Sequence, residues 1–176
     1  MEHNDQRAHF LPPLPAGYRV RECRREDLPS VCEVEGAAFA GQPLYPEFFF
    51  VQSMDIFANG FLVAEHDEKV VGYIIAVLGQ GRKRQGWILS LGVHPNHQRR
   101  GVGSNLSARA EEFIASEGQQ MAILTVDPNN ATALSLYHHR GYKQIDKLDN
   151  HFGRGDNRLL MALPLAESPS EESDLE

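Results

Sequence analysis

Cysteine is scarce: only Cys23 and Cys32 occur in 176 residues. That excludes a disulfide framework and makes a reducing, cytoplasmic setting the expectation. No apolar run approaches the ~20 residues a membrane-spanning helix needs. The opening MEHNDQRAHF lacks the basic stretch and apolar core of a secretory signal. Positive charge is short as well. Lys and Arg number 17 against 24 Asp and Glu, a net charge of -7, which argues against a nucleic-acid partner. There is neither an HExxH nor a paired CxxC, so the eight histidines make no metal motif and no metal is expected.

The acidity is not spread evenly. The last ten residues, ESPSEESDLE, carry five acids and no base. They mark residues 166–176 as an acidic, disordered tail. At the other end, LPPLPAG puts three prolines in five residues, which opposes helix and central strand alike. Residues 1–16 therefore read as an extended arm, and 17–165 as one domain with a full core.

Within that domain YRVREC (18–23) alternates as a strand does. Asp27 suits the N-cap of a helix carrying Leu28, Val31, Cys32, Val34 and Phe39. EFFFVQSMDIF (47–57) predicts a second helix, although its aromatics would also suit a strand. FLVAEH and VVGYIIAVLG flank a short polar DEK, the pattern of a hairpin. WILSLGV (87–93) is a further strand after the basic turn GRKRQG. Val102–Ser116 has helical spacing, with Gly118 as its stop. MAILTV is a strand, Asn130 caps the helix ATALSLYHHR, and Gly141 ends it. YKQIDKL and NRLLMALPL close the chain as two strands around GRGD. The order β α α β β β α β α β β predicts an α/β fold with a mixed sheet and helices on its faces, not a uniformly parallel one.

The stretch HPNHQRRGVGSNLS (94–107) carries the chemistry. A strand runs into two arginines and two glycines, and these open a helix. Helix N-termini leave backbone N–H groups unpaired and bear partial positive charge. Glycines let that backbone approach a phosphate, and arginines add charge and hydrogen bonds. A dinucleotide fingerprint GxGxxG would need glycine at 106, where Leu106 stands, and no Gly-Lys-Ser/Thr of a P-loop occurs. A solvated turn is the plain alternative for the loop taken alone.

Gln98-Arg-Arg-Gly-Val-Gly103 resembles the (Q/R)xxGx(G/A) acetyl-CoA signature of the GNAT acetyltransferase superfamily. TVDPNNATALSLYHHRGYKQI (125–145) resembles the family segment with an asparagine, a helix, a tyrosine and an aromatic after glycine. NHFGRGDNRLLMALPL (150–165) resembles the end of the ribosomal-protein alanine N-terminal acetyltransferases. The resemblance implies a single-domain GNAT fold and an acetyl-CoA-dependent N-acetyltransferase. It implies that Leu91, Gly92 and Val93 pair with the pantetheine amides. It gives Gln98, Arg99, Arg100, Gly101, Val102, Gly103 and Ser104 the pyrophosphate, Asn130 the pantetheine arm, and Tyr137 the general acid's place at the thioester sulfur. An ordinary core aromatic and an ordinary N-cap are the plain readings of Tyr137 and Asn130.

Two departures from those relatives matter. Thr125 occupies the strand position where they carry a Glu or His base, and His151-Phe152 replaces a tyrosine pair. The proton acceptor is left open among water, Glu35, Glu65 and His151. A peptide or protein N-terminal α-amine is the favoured acceptor, because its pKa near ~8 leaves more neutral amine at pH 7 than lysine near ~10. A small-molecule amine or a lysine is the alternative acceptor, and a CoA-binding sensor that has lost catalysis is the alternative class. The sequence sets no oligomeric state.

Overall fold

The computed structural model describes residues 13–81 and 83–165. The expected N-terminal arm up to residue 12 and the acidic tail from residue 166 lie outside them. Eleven elements follow the order read from the sequence. They are β1 (Tyr18–Glu22), α1 (Leu28–Ala38), α2 (Glu47–Phe57), β2 (Phe61–His66), β3 (Lys69–Leu78), β4 (Gln85–Val93), α3 (Val102–Ser116), β5 (Met121–Val126), α4 (Ala131–His139), β6 (Lys143–Leu148) and β7 (Arg158–Pro164).

The strands form one seven-stranded sheet in the order β1-β2-β3-β4-β5-β7-β6. Every neighbouring pair is antiparallel except β4 and β5, which run parallel with α3 as the crossover. Two apolar layers cover the sheet. On one face α3 and α4 pack Val102, Leu106, Ala110, Ile114 and Tyr137 over Leu62, Ile74, Ile88 and Leu124. On the other, α1 and α2 pack Leu28, Val31, Val34 and Phe50 over Phe61, Val63, Tyr73 and Ile75. The alternation of β3 between these layers follows from the period of two along a strand.

The parallel join positions the site. Only Gln85–Ile88 of β4 pairs with β5, against Met121–Leu124. Immediately beyond, the β3 register slips: Ala76 faces Ile88, but Ile75 faces Ser90. Leu89 is thus the extra residue of a β-bulge, which bends a strand and breaks its ladder. From Leu89 to Val93, β4 keeps β3 on one side and has parted from β5 on the other. Gly92 belongs to this geometry, since a Cβ there would sit 2.6 Å from the Tyr73 ring.

One expectation is corrected at Asp27. Its carboxylate does not cap α1; it accepts from the Arg24 backbone N–H (2.7 Å) and from both ends of the Arg21 guanidinium (2.6 and 2.9 Å). A single 3₁₀ turn over Arg25–Asp27 precedes the helix and captures the side chain first. Arg21 also donates to Glu65 (2.8 Å), which takes a second arginine, Arg19 (2.7 Å). The network ties β1 to β2 and to the start of α1.

Candidate active site

The residues expected to hold the pyrophosphate fall at the N-terminus of α3. Arg99 and Gly101 both adopt left-handed backbone, with φ of 58° and 80°. Alternation of that kind turns successive N–H groups toward one concave side, a nest for anions. The first intrahelical bond runs from Asn105 N–H to the Gly101 carbonyl (2.9 Å). The N–H groups of Val102, Gly103 and Ser104 therefore precede the helical ladder. Arg99 and Arg100 are exposed beside them. Gln98 is built in differently: its side-chain amide donates to the Val93 carbonyl (3.0 Å) and pins the loop to the end of β4. His97 braces the far side, its Nδ1 within 2.8 Å of the Tyr18 hydroxyl. Burial, and then the charges of His66, Arg100 and His94, hold its imidazole below the usual pKa.

Leu91 and Val93 pack toward α3, on the same face as the loop. A Cβ on Gly103 would lie 3.5 Å from Leu136 and 3.7 Å from Val93, so the loop, β4 and α4 meet at that glycine. The Asn130 side chain caps α4, its Oδ1 accepting from Ala133 N–H at 3.0 Å. Seven residues on, Tyr137 is the buried residue of the helix, its ring 5.4 Å from Tyr142 in edge contact. Burial and then the Glu111 carboxylate raise its phenol well above the ordinary range, so it stays protonated.

On the opposite face, where β4 has left β5, lies a cavity of about 260 Å³. Tyr45 and Phe49 wall it from the α1–α2 side, Trp87 and Leu89 from β4, Thr125 from β5, and His151 and Phe152 from the β6–β7 loop. Tyr45 stacks on Phe49 at 4.1 Å. His151 meets Phe152 edge-on at 4.5 Å, and Arg158, held by Asp156 at 2.6 Å, lies over the Phe152 ring. The loop is braced by Asn150, whose Oδ1 accepts from Gly155 N–H (2.7 Å).

Beside this cavity the buried Glu35 carboxylate accepts from the Tyr45 N–H (2.9 Å) and from the Tyr73 hydroxyl, which lies 2.8 Å from Ser90 Oγ on β4. Tyr73 and Ser90 had no motif to announce them. Glu35 was named only among the possible proton acceptors; it lies buried on α1, one turn from Val31. Glu65, the other carboxylate considered, lies on β2, two strands from the opening, and is spent on Arg19 and Arg21. Burial opposes its ionisation, yet the two arginines win and its pKa falls below the usual range. Neither cysteine is an activated thiolate: burial pushes the Cys23 thiol up to about 12 and raises Cys32 as well. Among the described residues, no group of three His, Cys, Asp or Glu is arranged to hold a metal ion, and no helix is long and apolar enough to cross a membrane.

A glycine-rich loop that opens α3 thus lies on one face of the sheet and an aromatic cavity on the other, on either side of the point where β4 and β5 part. Residues 22–142 match the Acetyltransferase (GNAT) family. The chain belongs to this family. The N-alpha-acetyltransferase of Sulfurisphaera tokodaii is 29% identical over 162 residues, covering 84% of this chain and 93% of that protein. Among solved structures, Ard1 from Thermoplasma volcanium superposes with a TM-score of 0.78 at 22% identity, over 86% of this chain and 99% of that one. The ribosomal-protein-S18-alanine N-acetyltransferase from Escherichia coli gives 0.73 at 20% identity, over 89% and 99%. The GNAT fold, and the likeness to N-terminal alanine acetyltransferases, therefore hold for this acetyltransferase as its motifs implied.

Proposed function

We propose that this GNAT protein transfers acetyl from acetyl-CoA to the α-amine of a peptide or protein N-terminus, directly and within a ternary complex. The observation that carries the reading is the gap between β4 and β5. On the α3 side the parted strand carries Leu91 and Val93 beside the glycine-rich loop, and on the α1–α2 side lies the aromatic cavity. Two substrates entering from opposite faces meet there without crossing.

Bound acetyl-CoA supplies the activated thioester. The N–H groups of residues 99–104, with Arg99 and Arg100, hold the pyrophosphate. The parted edge of β4 at Leu91–Val93 takes the pantetheine amides as an added strand. Its N–H groups polarise the carbonyl oxygen, an effect worth ~3 kcal/mol per donor. Asn130 contacts the pantetheine arm with the part of its amide not used in capping. The Tyr137 hydroxyl protonates the departing thiolate. Tyr45, Phe49, Trp87, Leu89 and Phe152 surround the acceptor, which favours an apolar first side chain. With Thr125 as the wall and no side-chain base on β5, the amine attacks in its neutral form and sheds its surplus proton to water as the amide forms, while Tyr137 recovers from solvent the proton it gives to sulfur. That suits an α-amine better than a lysine.

The test is release of free thiol from acetyl-CoA with a panel of short peptides, lysine-bearing peptides blocked at their N-termini, and small amines. Turnover confined to free N-termini supports the reading. Turnover only with blocked lysine peptides or small amines replaces the acceptor. Tight acetyl-CoA binding without turnover of any amine replaces the enzyme by a CoA sensor.

A further inference from the structure

A buried ion pair stands behind Tyr137. Glu111 on α3 is fully buried, and the Arg140 side chain, at the end of α4, is 9% exposed. Arg140 grips Glu111 with two parallel bonds, Nε to Oε1 at 3.1 Å and Nη2 to Oε2. The fork fixes guanidinium and carboxylate in one plane, which a lysine could not do. Isolated carboxylates are costly to bury, and an apolar pair of similar volume commonly serves stability as well or better. Stability alone therefore does not account for the pair.

Its placement does. Arg140 follows Tyr137 by three residues, so both project from neighbouring positions on α4. Below them the Tyr142 N–H bonds the Tyr137 carbonyl at 2.9 Å, and the rings of the two tyrosines touch. Helix α4 has only nine residues, and at its start Asn130 is the cap. The Arg140–Glu111 fork clamps the other end to α3, the helix whose first turn is the phosphate loop. We propose that Glu111 and Arg140 are positioning residues that fix Tyr137 relative to the loop, so that its hydroxyl is set for the thiolate.

The inference rests on Tyr137 as the proton donor. The charged or titratable groups around that phenol are Glu111 from α3, Tyr142 from the turn after α4, and Arg140 at the C-cap of α4; His138 and His139 lie on the exposed side of the helix. The carboxylate also helps keep the phenol protonated.

The experiment is a double-mutant cycle on kcat. Glu111→Leu and Arg140→Met are made together, so that no unpaired charge is buried, with and without Tyr137→Phe. Thermal melting checks that each protein is folded, and calorimetry gives its acetyl-CoA Kd. The expected result is a fall of ten-fold or more in kcat for the Glu111→Leu/Arg140→Met protein with Kd within two-fold of wild type, and no further fall when Tyr137→Phe is added. Unchanged kcat in the paired variant, with Tyr137→Phe slow, overturns the positioning role and leaves the donor. An equal fall in both backgrounds also overturns it. Unchanged kcat in Tyr137→Phe alone removes the donor itself, and the inference with it. Should the paired variant not fold, Arg140→Lys is read the same way: lowered kcat at constant Kd supports the clamp, and wild-type kcat overturns it.

Discussion

The Tyr73 hydroxyl donates to the buried Glu35 carboxylate and touches Ser90 Oγ, so one phenol ties α1 to β4 beside the aromatic cavity. Burial, and then Glu35, raise its pKa, so it stays a donor at any working pH. Glu35 in turn holds the Tyr45 N–H, and Tyr45 is a cavity wall.

Tyr73→Phe should therefore damage the acceptor side selectively. Loss of a donor to a buried carboxylate should cost about 1–3 kcal/mol of stability. The KM for peptide should rise several-fold while acetyl-CoA affinity stays constant. Steady-state kinetics with each substrate varied in turn makes the comparison, and equal changes in both constants would mean the tie is not local.

Acetyl-CoA should protect the protein against heat, by about 2.7 kcal/mol at 100 times Kd, where NADH and ATP do not. Gly103→Val should reduce that protection. A single Cβ fits at 3.5–4.0 Å from Leu136, Val93 and Leu91, but the added methyls crowd the N–H groups of the loop. Undiminished protection in a folded variant would place the pyrophosphate elsewhere.

The pH profile of kcat/KM should follow the acceptor, not the enzyme. Neutral amine accumulates as pH rises and levels off near the amine's own pKa, ~8 for a peptide. The raised phenol of Tyr137 stays protonated across that range, so no falling limb should appear below pH ~10. Two peptides with different terminal pKa values decide it. A midpoint that ignores the peptide points to an enzyme base, with Glu35 and His151 as the residues at hand.

Acid should loosen the β1 end first. Hydrogen bonds from Arg21, opposed by burial and aided by the Arg24 N–H, hold Asp27 below the usual carboxylate range. A depressed folded-state pKa contributes stability that is complete above the unfolded value near ~3.9 and is lost as pH falls through the folded one. Arg21→Ala should thus cost roughly 3 kcal/mol near neutrality, and less and less below pH ~4. Urea melts of both proteins at several pH values measure the gap; a gap independent of pH would assign it to packing.

What could be read beforehand depended on how locally each feature is encoded. Helix α3 announced itself from Val102 to Ser116 because its apolar spacing and Gly118 stop are properties of one segment. The glycine-rich turn that opens α3 was legible for the same reason, since Gly101 and Gly103 stand in one segment. The Leu89 bulge was not. WILSLGV reads as one continuous strand, and which residue slips is decided by β3 across the ladder. Glu111 and Arg140 are 29 positions apart, and only the crossing of α3 and α4 makes them partners. Asp27 failed as a cap because Arg21, one strand earlier, competes for the same oxygens.

The chain has a single tryptophan, and Trp87 is a wall of the aromatic cavity, on the side of the sheet away from the glycine-rich loop. The molecule thereby carries its own optical probe. Indole emission should shift as a peptide displaces water from the ring and respond little to ligands held at the loop alone. Occupancy of the two halves of the site can then be followed separately, in unlabelled protein and in real time, with the order of binding read from the same trace.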